Sequence, residues 1–297
     1  MTAPAAAVPF TLLMSVWAKD RPELLRRAFE SSVVAQVRRP DEVVLVQDGP
    51  VPPELAACLD ELTETSPVPV RVVRLAENQG LGPALEAGLA ACTHEVVARM
   101  DADDVSLPDR FAVQLPEIEA GADLVGSALV EIGADEGDVV GRRTPPTSPE
   151  MIARSARLHD PINHPTVVYR RSAVAAAGGY EHVPLLEDYW LFARMIQHGA
   201  HVVNVPEALV LYRVGEGAYN RRGGLALLVA ELRLQVLFLR SGFTTPVQFV
   251  RNVAIRCSYR LVPAAVRKPL YRVLVATRGA RLDSAAERSG GTPNDPR

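Results

Sequence analysis

The sequence predicts an α/β fold, a mostly parallel sheet flanked by helices and followed by a helical appendage, and three observations carry that expectation. From Phe10 to Met100, short apolar runs alternate with helix-length amphipathic segments, the pattern of strands joined by helical connections. Each strand-helix-strand unit is of the kind that closes as a right-handed parallel crossover. The polar residues that end the apolar runs then collect at one edge of the sheet, where open α/β sheets take their ligands.

Taken in order, Phe10 to Val16 (FTLLMSV) is the first strand and ends at Trp17-Ala18-Lys19-Asp20. Arg21-Pro22-Glu23 opens a helix, with Pro22 in its first turn and Asp20 as its N-cap, and the apolar stripe through Leu24, Leu25, Ala28, Phe29 and Val33 carries it to about Gln36. Glu42 to Val46 is the second strand, closed by Gln47-Asp48-Gly49; Leu55 to Thr63 is a helix and Val70 to Leu75 the third strand. Asn78-Gln79-Gly80-Leu81-Gly82 forms a glycine-bearing loop before a helix over Pro83 to Cys92. Val96, Val97, Ala98 and Met100 make the fourth strand. Beyond it, Ala122 to Gly133 reads as one or two buried strands, and the polar, proline-bearing stretch from Asp135 to Pro149 as a loop over the site. Met151 to Leu158 is a short helix, Val167 to Tyr169 a strand, and Ser172 to Ala177 a helix stopped by Gly178-Gly179. A helix then starts at Glu187-Asp188 and runs to Gly199, followed by strands over His201 to Val205 and Ala208 to Arg213.

Composition narrows the class. The 297 residues are 48% hydrophobic, enough for a core, and only 5% aromatic. Cys58, Cys92 and Cys257 are odd in number and far apart, neither a disulfide framework nor a zinc pattern, which points to the cytosol. The first ten residues carry no basic segment and are broken by Pro4 and Pro9, so they do not read as a secretion signal. Charge is segregated: residues 1–219 sum to −13, residues 220–281 to +11, and the last sixteen to −1. An acidic body and a basic appendage imply different partners for the two.

The chemistry concentrates where the fourth strand ends. Asp101, Asp103 and Asp104 lie within four residues. Alternate residues of an extended segment face the same way, so Asp101 and Asp103 can converge on one cation. Hard carboxylate oxygens suit Mg²⁺ or Mn²⁺, which keep several waters and complete their shell with substrate phosphate. An acidic turn would give the same triplet, just as Asp20 reads as a cap and Asp48-Gly49 and Asn78 as turn formers. The four loops together present Asp20, Asp48, Asn78 and the Asp101–Asp104 cluster on one edge.

At this point the sequence resembles glycosyltransferase family 2, the inverting nucleotide-sugar transferases of the GT-A (Rossmann-like) fold. The resemblance rests on Lys19-Asp20, Gln47-Asp48-Gly49, Asn78-Gln79-Gly80, Met100-Asp101-Ala102-Asp103-Asp104 and Pro108-Asp109-Arg110 in the donor half. In the acceptor half it rests on His164-Pro165-Thr166, Gly178-Gly179-Tyr180 and Glu187-Asp188-Tyr189-Trp190. It spans about residues 10 to 215 and departs at Gln47, where many members carry an acid. It implies a nucleotide-diphosphate sugar donor, with Asp48 on the nucleobase, Asp101 on the ribose or sugar, Asp103 (and Asp101) on Mn²⁺ or Mg²⁺, and Asp104 on the sugar or a metal-bound water. Asp20, Asn78 and His164 complete the donor-binding set. The Glu187-Asp188 pair would lie by the anomeric carbon, with Asp188 as general base.

The C-terminal stretch differs in kind. Leu225 to Leu239 is apolar but interrupted by Glu231 and Arg233, against a membrane span. Pro246 to Leu261 gathers Val247, Val250, Val253 and Cys257 on one face, flanked by Arg251, Arg256 and Arg260, and Leu270 to Ala276 repeats the theme. A basic amphipathic helix suits an anionic membrane interface, so residues 220–281 predict peripheral contact with the inner face of a membrane and a lipid-linked or polysaccharide acceptor. The same helices would also serve as a pack against the catalytic domain. Residues 282–297 read as a disordered tail. A nucleic-acid partner is not expected, since no aromatic stacking platform accompanies the basic segment. Two other classes share part of this pattern. A sugar-1-phosphate nucleotidyltransferase needs a glycine-rich basic loop after the first strand, and Ser15 to Asp20 has no glycine; a non-catalytic binding subunit would have lost the carboxylates, and all are present.

Overall fold

Nine strands form one sheet in the computed structural model, which describes residues 8–214 and 225–261. The first four are parallel: β1 (Phe10–Trp17), β2 (Glu42–Asp48), β3 (Val70–Arg74) and β4 (Val96–Asp101), in the order β3-β2-β1-β4. Helices α1 (Pro22–Phe29), α2 (Pro53–Thr65) and α3 (Leu81–Ala91) are the crossovers. The chain moves outward from β1 to β3 and then returns to the other flank of β1 with β4. The switch point therefore lies between β1 and β4, where Ser15 pairs opposite Asp101; across β1 and β2, Trp17 pairs opposite Asp48.

Burial on both faces explains why β1 is a continuous apolar run rather than an alternating one. Phe10, Leu12, Met14 and Val16 enter one core layer with Leu25 of α1 and Leu59 of α2. Leu13 enters the other, with Leu85 and Leu89 of α3. At Gly88 of α3 an added Cβ would stand 2.4 Å from Leu13 Cδ1, so glycine there sets how closely the helix lies on the sheet.

Beyond β4 the sheet becomes mixed, within the α/β architecture expected. The added elements are β5 (Val105–Ser106), α4 (Arg110–Glu119), β6 (Leu124–Ile132), β7 (Val139–Arg143), α5 (Pro149–Ala156), β8 (Val168–Arg170), α6 (Arg171–Ala176), α7 (Glu187–Gln197) and β9 (Val202–Arg213). β8 runs antiparallel to both β4 and β6, β5 antiparallel to β9, and only β6 and β9 are parallel. β7 follows β6 after a short turn and pairs with it antiparallel, as a direct return must. Part of the expected loop over the site, residues 135–149, is thus β7 at the sheet margin; the β-branched Val139 and Val140 outweigh the prolines further on. The first helix also departs from expectation. After Phe29 it widens into a π-helical turn over Glu30–Val34, and its N-cap is Arg21, not Asp20.

Helix α8 (Leu225–Arg240) lays Leu234 and Phe238 on Tyr189, Trp190 and Ala193 of α7. The Phe238 ring is 5.1 Å from that of Tyr189 and 6.0 Å from that of Trp190. The apolar surface of this helix, weighed above only against a membrane span, is the surface that covers α7. Accordingly the chain divides into compact units at Phe249/Val250, within α9 (Pro246–Leu261), and not after Tyr219. Among the described residues no helix is long and apolar enough to cross a membrane. The expected helix over Leu270–Ala276 and the tail 282–297 lie outside the described residues.

Candidate active site

A cavity of about 410 Å³ opens at the carboxyl ends of β1, β2 and β4, lined by Ser15, Trp17, Asp20, Asp48, Asn78, Asp101 and Asp103 together with Tyr212 and Arg213 of β9. The topology brings these side chains together, because each lies at or just beyond the carboxyl end of a strand that points the same way.

Within that cavity the expected donor residues divide into organisers and free groups. Asp48 is buried, and its carboxylate accepts from Asn78 Nδ2 at 2.9 Å, Gln79 N at 2.7 Å and Gly80 N at 3.0 Å. Both Asp48 oxygens and the Asn78 amide are thereby committed to holding the Asn78-Gln79-Gly80 loop against β2. The fit requires glycine at Gly49, with φ +82° and a would-be Cβ 2.5 Å from Asn78 N.

Asp101 is the last residue of β4, and both of its oxygens meet the guanidinium of Arg99, two residues earlier on the same face, with Nη1 to Oδ2 at 2.8 Å. Arg99 is 2% exposed. Burial opposes its charge, yet Asp101 and the neighbouring acids outweigh burial and hold it above its ordinary pKa. Asp103 lies in the turn after the strand, so it reaches the cavity by the turn and not by strand alternation. Its carboxylate accepts no hydrogen bond from another residue among those described, and burial together with Asp101 pushes it up to about 6. Asp20 shares the same field. Its carboxylate accepts from Trp17 N at 2.9 Å, and burial, with Asp103 and Asp101 nearby, pushes it up to about 7.

Asp104 does not join them. It is fully buried, Oδ1 accepts from Arg213 N at 2.8 Å, Oδ2 has no partner, and burial holds the carboxyl well above its ordinary range. It secures the end of β9 from beneath. Arg213 in turn donates to the Asp103 carbonyl at 3.0 Å and to the carbonyls of Gly133 and Ala134, so the floor of the cavity is stitched to β9.

The metal expected from the family can be tested against this donor set. Asp103 offers an uncommitted carboxylate, Asp101 stands beside it, and the acids crowd one another enough to raise Asp20 and Asp103. Among the described residues no three of His, Cys, Asp and Glu form a ready-made cage. That set fits a cation that takes one or two carboxylates and fills its shell with phosphate and water, as Mg²⁺ and Mn²⁺ do.

The acceptor-side acids sit at the first turn of α7. The chain reaches them through Leu185, the one described non-glycine residue at positive φ (72°), a local strain of about 1–3 kcal/mol. Gly82 at the start of α3 packs beside Glu187, and a Cβ added there would meet the Glu187 Cβ at an ordinary contact of 3.4 Å. This packing carries α7 to the donor edge. Burial and Asp188 push Glu187 up to about 7. Asp188 is also raised, by burial first, against the pull of a bond from Tyr189 N at 2.7 Å and the Arg99 charge. The helix start therefore does not keep it as readily ionised as position alone suggests. His164, expected among the donor-binding residues, lies behind Asp188 instead: Nδ1 is 3.5 Å from Asp188 Oδ2 and Nε2 is 3.0 Å from the Tyr180 hydroxyl.

Sequence reading missed Arg99 and Asp160 here, and it named Arg110 only as part of the Pro108-Asp109-Arg110 motif. Arg99 sits between the two halves, and its charge acts on Asp101, Asp103, Asp188 and Glu187; its signal was an arginine in an otherwise apolar strand, two residues before an acid. Arg110 is fully buried and forms no ion pair among the described residues; it donates to Ser106 Oγ at 3.0 Å and the Arg99 carbonyl at 2.6 Å, and burial pulls it down to about 9. Asp160 is raised well above its ordinary value by burial and by Asp188 nearby, and nothing in the sequence linked the two.

Comparison with known proteins agrees with this geometry. The profile described as Glycosyl transferase family 2 matches residues 16–177. The chain belongs to that family and is a glycosyltransferase. It is 38% identical to the amylovoran biosynthesis glycosyltransferase AmsE of Erwinia amylovora, over 88% of this chain and 97% of that protein. It is 30% identical to the UDP-Gal:alpha-D-GlcNAc-diphosphoundecaprenol beta-1,3-galactosyltransferase of Escherichia coli, over 90% of this chain and 96% of that protein. Among solved structures, S. aureus TarS 1-349 in complex with UDP-GlcNAc superposes with a TM-score of 0.59 at 15% identity, covering 78% of this chain and 67% of that one. The chain spans 40% of the longer TarS structure. The fold is that of the GT-A glycosyltransferases.

Proposed function

We propose that this glycosyltransferase moves a sugar, with inversion, from a nucleotide-diphosphate donor to a hydroxyl of a lipid-linked or polysaccharide acceptor in cell-surface glycan synthesis, with Mn²⁺ or Mg²⁺ bound in the donor cavity. One observation carries the reading: three carboxylates, Asp20, Asp101 and Asp103, crowd a cavity at the β1/β4 switch with one of them uncommitted. That excess of negative charge calls for a cation and its phosphate. Asp103 would hold the metal, with Asp101 fixed beside it by Arg99. When bound, such a cation would supply charge stabilisation for the leaving diphosphate.

The remaining steps fall to the chain's own residues. Trp17, at the mouth of the cavity and 40% exposed, offers its ring to the nucleoside. The Asp48-anchored loop sets the cavity wall opposite. Asp188 accepts the proton of the incoming hydroxyl on the acceptor side of the sugar, and its raised pKa brings it nearer to neutrality, where a general base is most effective. The E. coli relative, whose name gives a diphosphoundecaprenol-linked acceptor, supports a lipid-linked acceptor here. Peripheral contact of residues 220–281 with the inner membrane face draws support from their charge of +11 and from exposed Val247, Val250 and Ile255 on α9.

The test is calorimetry of a panel of nucleotide sugars with and without Mn²⁺, followed by transfer to a polyprenyl-diphosphate-linked sugar and NMR of the product. The expected result is cation-dependent binding of one donor and an inverted anomeric configuration. Retained configuration would overturn the mechanism, and donor binding indifferent to chelator would overturn the metal.

A further inference from the structure

His164 is buried between two polar groups and two rings. Its Nδ1 is 3.5 Å from Asp188 Oδ2 and its Nε2 is 3.0 Å from the Tyr180 hydroxyl, while the rings of Tyr180 and Phe192 lie 5.9 and 5.7 Å from its own. Burial, with the Arg99 charge, holds the imidazole far below its ordinary pKa, so it is neutral and carries a single N–H. A proton on Nε2 would aim the bare lone pair of Nδ1 at a carboxylate oxygen. A proton on Nδ1 gives both contacts a donor: the Tyr180 hydroxyl donates to Nε2, and Nδ1–H donates to Asp188.

We propose that Tyr180 locks His164 in its Nδ1–H tautomer and that this imidazole holds the Asp188 carboxylate in its working orientation. Neither residue touches the reacting atoms; both are positioning residues, and the inference rests on the reading of Asp188 as base. The supports of the chain of contacts are rigid. Tyr180 follows the Gly178-Gly179 turn, both residues at positive φ, and Arg194 clamps that turn by donating to the carbonyls of Ala177 at 2.7 Å and Gly179 at 2.6 Å. Tyr180 N donates to Glu86 of α3 at 2.8 Å. Asp188 itself has one oxygen tied to its own helix through Tyr189 N, which leaves Oδ2 to the imidazole. The other charged groups that face Asp188 are Arg99 and Asp101 of β4, Asp160 of the loop before His164, and its neighbour Glu187. A separation of 3.5 Å is at the outer edge of hydrogen bonding, and such contacts to catalytic groups commonly close only when substrate is bound. The imidazole takes no proton in the reaction, since in this tautomer Nδ1 already carries one and Nε2 is occupied by the Tyr180 hydroxyl.

The tautomer is read directly from ¹⁵N shifts in long-range ¹H–¹⁵N spectra of histidine-labelled protein. The expected result is Nδ1–H at His164 in the unaltered protein. Tyr180→Phe removes one oxygen, and with folding checked by melting temperature it should lower kcat by about 10- to 100-fold, the scale of a misplaced catalytic group, with donor KM unchanged and a shift toward Nε2–H. His164→Asn, whose amide nitrogen can stand where Nδ1 stood, should retain more kcat than His164→Gln. Nε2–H in the unaltered protein, an unchanged kcat in Tyr180→Phe, or a Gln variant equal to the Asn variant would each overturn the lock. Asp188→Asn separates this from the reading beneath it: near-normal transfer there removes the base itself, whereas loss there with no effect of Tyr180→Phe removes the lock alone.

Discussion

The donor half and the acceptor half solve opposite electrostatic problems around one arginine. At the ends of β1 and β4, acids crowd together with an uncommitted carboxylate at Asp103, the place where the proposed cation would sit. At the start of α7, Asp188 is backed by a neutral imidazole and a tyrosine, and the arrangement is complete as it stands. Arg99 lies between them, bonded to Asp101 and acting through space on Asp188. The difference teaches that a run of acids marks two kinds of site. In the proposed mechanism one would collect positive charge from outside, and the other would tune a single carboxylate for proton transfer.

The sharpest way to break this comparison is Asp188→Asn, which keeps the shape but cannot accept a proton. Transfer should fall by about 10²- to 10⁴-fold while donor affinity by calorimetry survives. Near-normal transfer would return Asp188 to the role of a helix-start acid. Next in size, Asp103→Ala should lower turnover by at least about 10²-fold and remove the cation dependence of donor binding, with the fold intact by circular dichroism. Equal Mn²⁺ dependence in the variant and the parent would erase the distinction between the halves.

The C-terminal region sharpens the comparison from outside. Because α8 covers α7, the informative truncation is after Phe249, not after Tyr219. Its binding to anionic vesicles should drop by at least about 10-fold, since each basic residue near an anionic surface is worth about 1 kcal/mol, and binding of the intact protein should weaken as salt rises. Undiminished vesicle binding by the truncated protein would rule out lipid as the partner of residues 250–281.

The smallest effect is a pH dependence of stability. Burial pushes Asp20 and Glu187 up to about 7 and Asp103 to about 6, while in the unfolded chain such carboxyls titrate near 4. Folded protein thus binds protons that the unfolded chain has released. The associated stability is full below about pH 4 and is lost as pH rises through 6 to 7. Melting temperatures should fall by several degrees across that window without cation, and Mn²⁺ should offset the donor-side part, more at pH 8 than at pH 5.5. A Mn²⁺ effect that is the same at both pH values would mean that Asp20 and Asp103 do not share its field.

Much of this was legible beforehand. The alternation from Phe10 to Met100 located β1 to β4 and their crossovers to within a few residues, because strands buried on both faces leave unbroken apolar runs and Gly49 and Gly80 mark turns that need positive φ. Asp20, Asp48, Asn78, Asp101 and Asp103 do meet at one edge, because parallel strands put their carboxyl ends together. Mixed pairing beyond β4 was not legible. A three-residue strand such as β8 carries too few residues to state its direction, and direction there depends on which neighbour it meets.

Local sequence by itself determined which residues were chemically capable: carboxylates at strand ends, a Glu-Asp pair at a helix start, a basic segment after an acidic body. Only the tertiary structure decided what each was free to do. Hydrogen bonds from 30 residues away commit the Asp48 carboxylate to a loop. A strand 109 residues later claims Asp104 from below. Burial and the Arg99 charge set the environment of Asp188, with an imidazole 3.5 Å behind it. The physical reason is that a side chain's identity fixes its chemistry, whereas its charge state and free lone pairs depend on burial and on partners brought together by long-range packing.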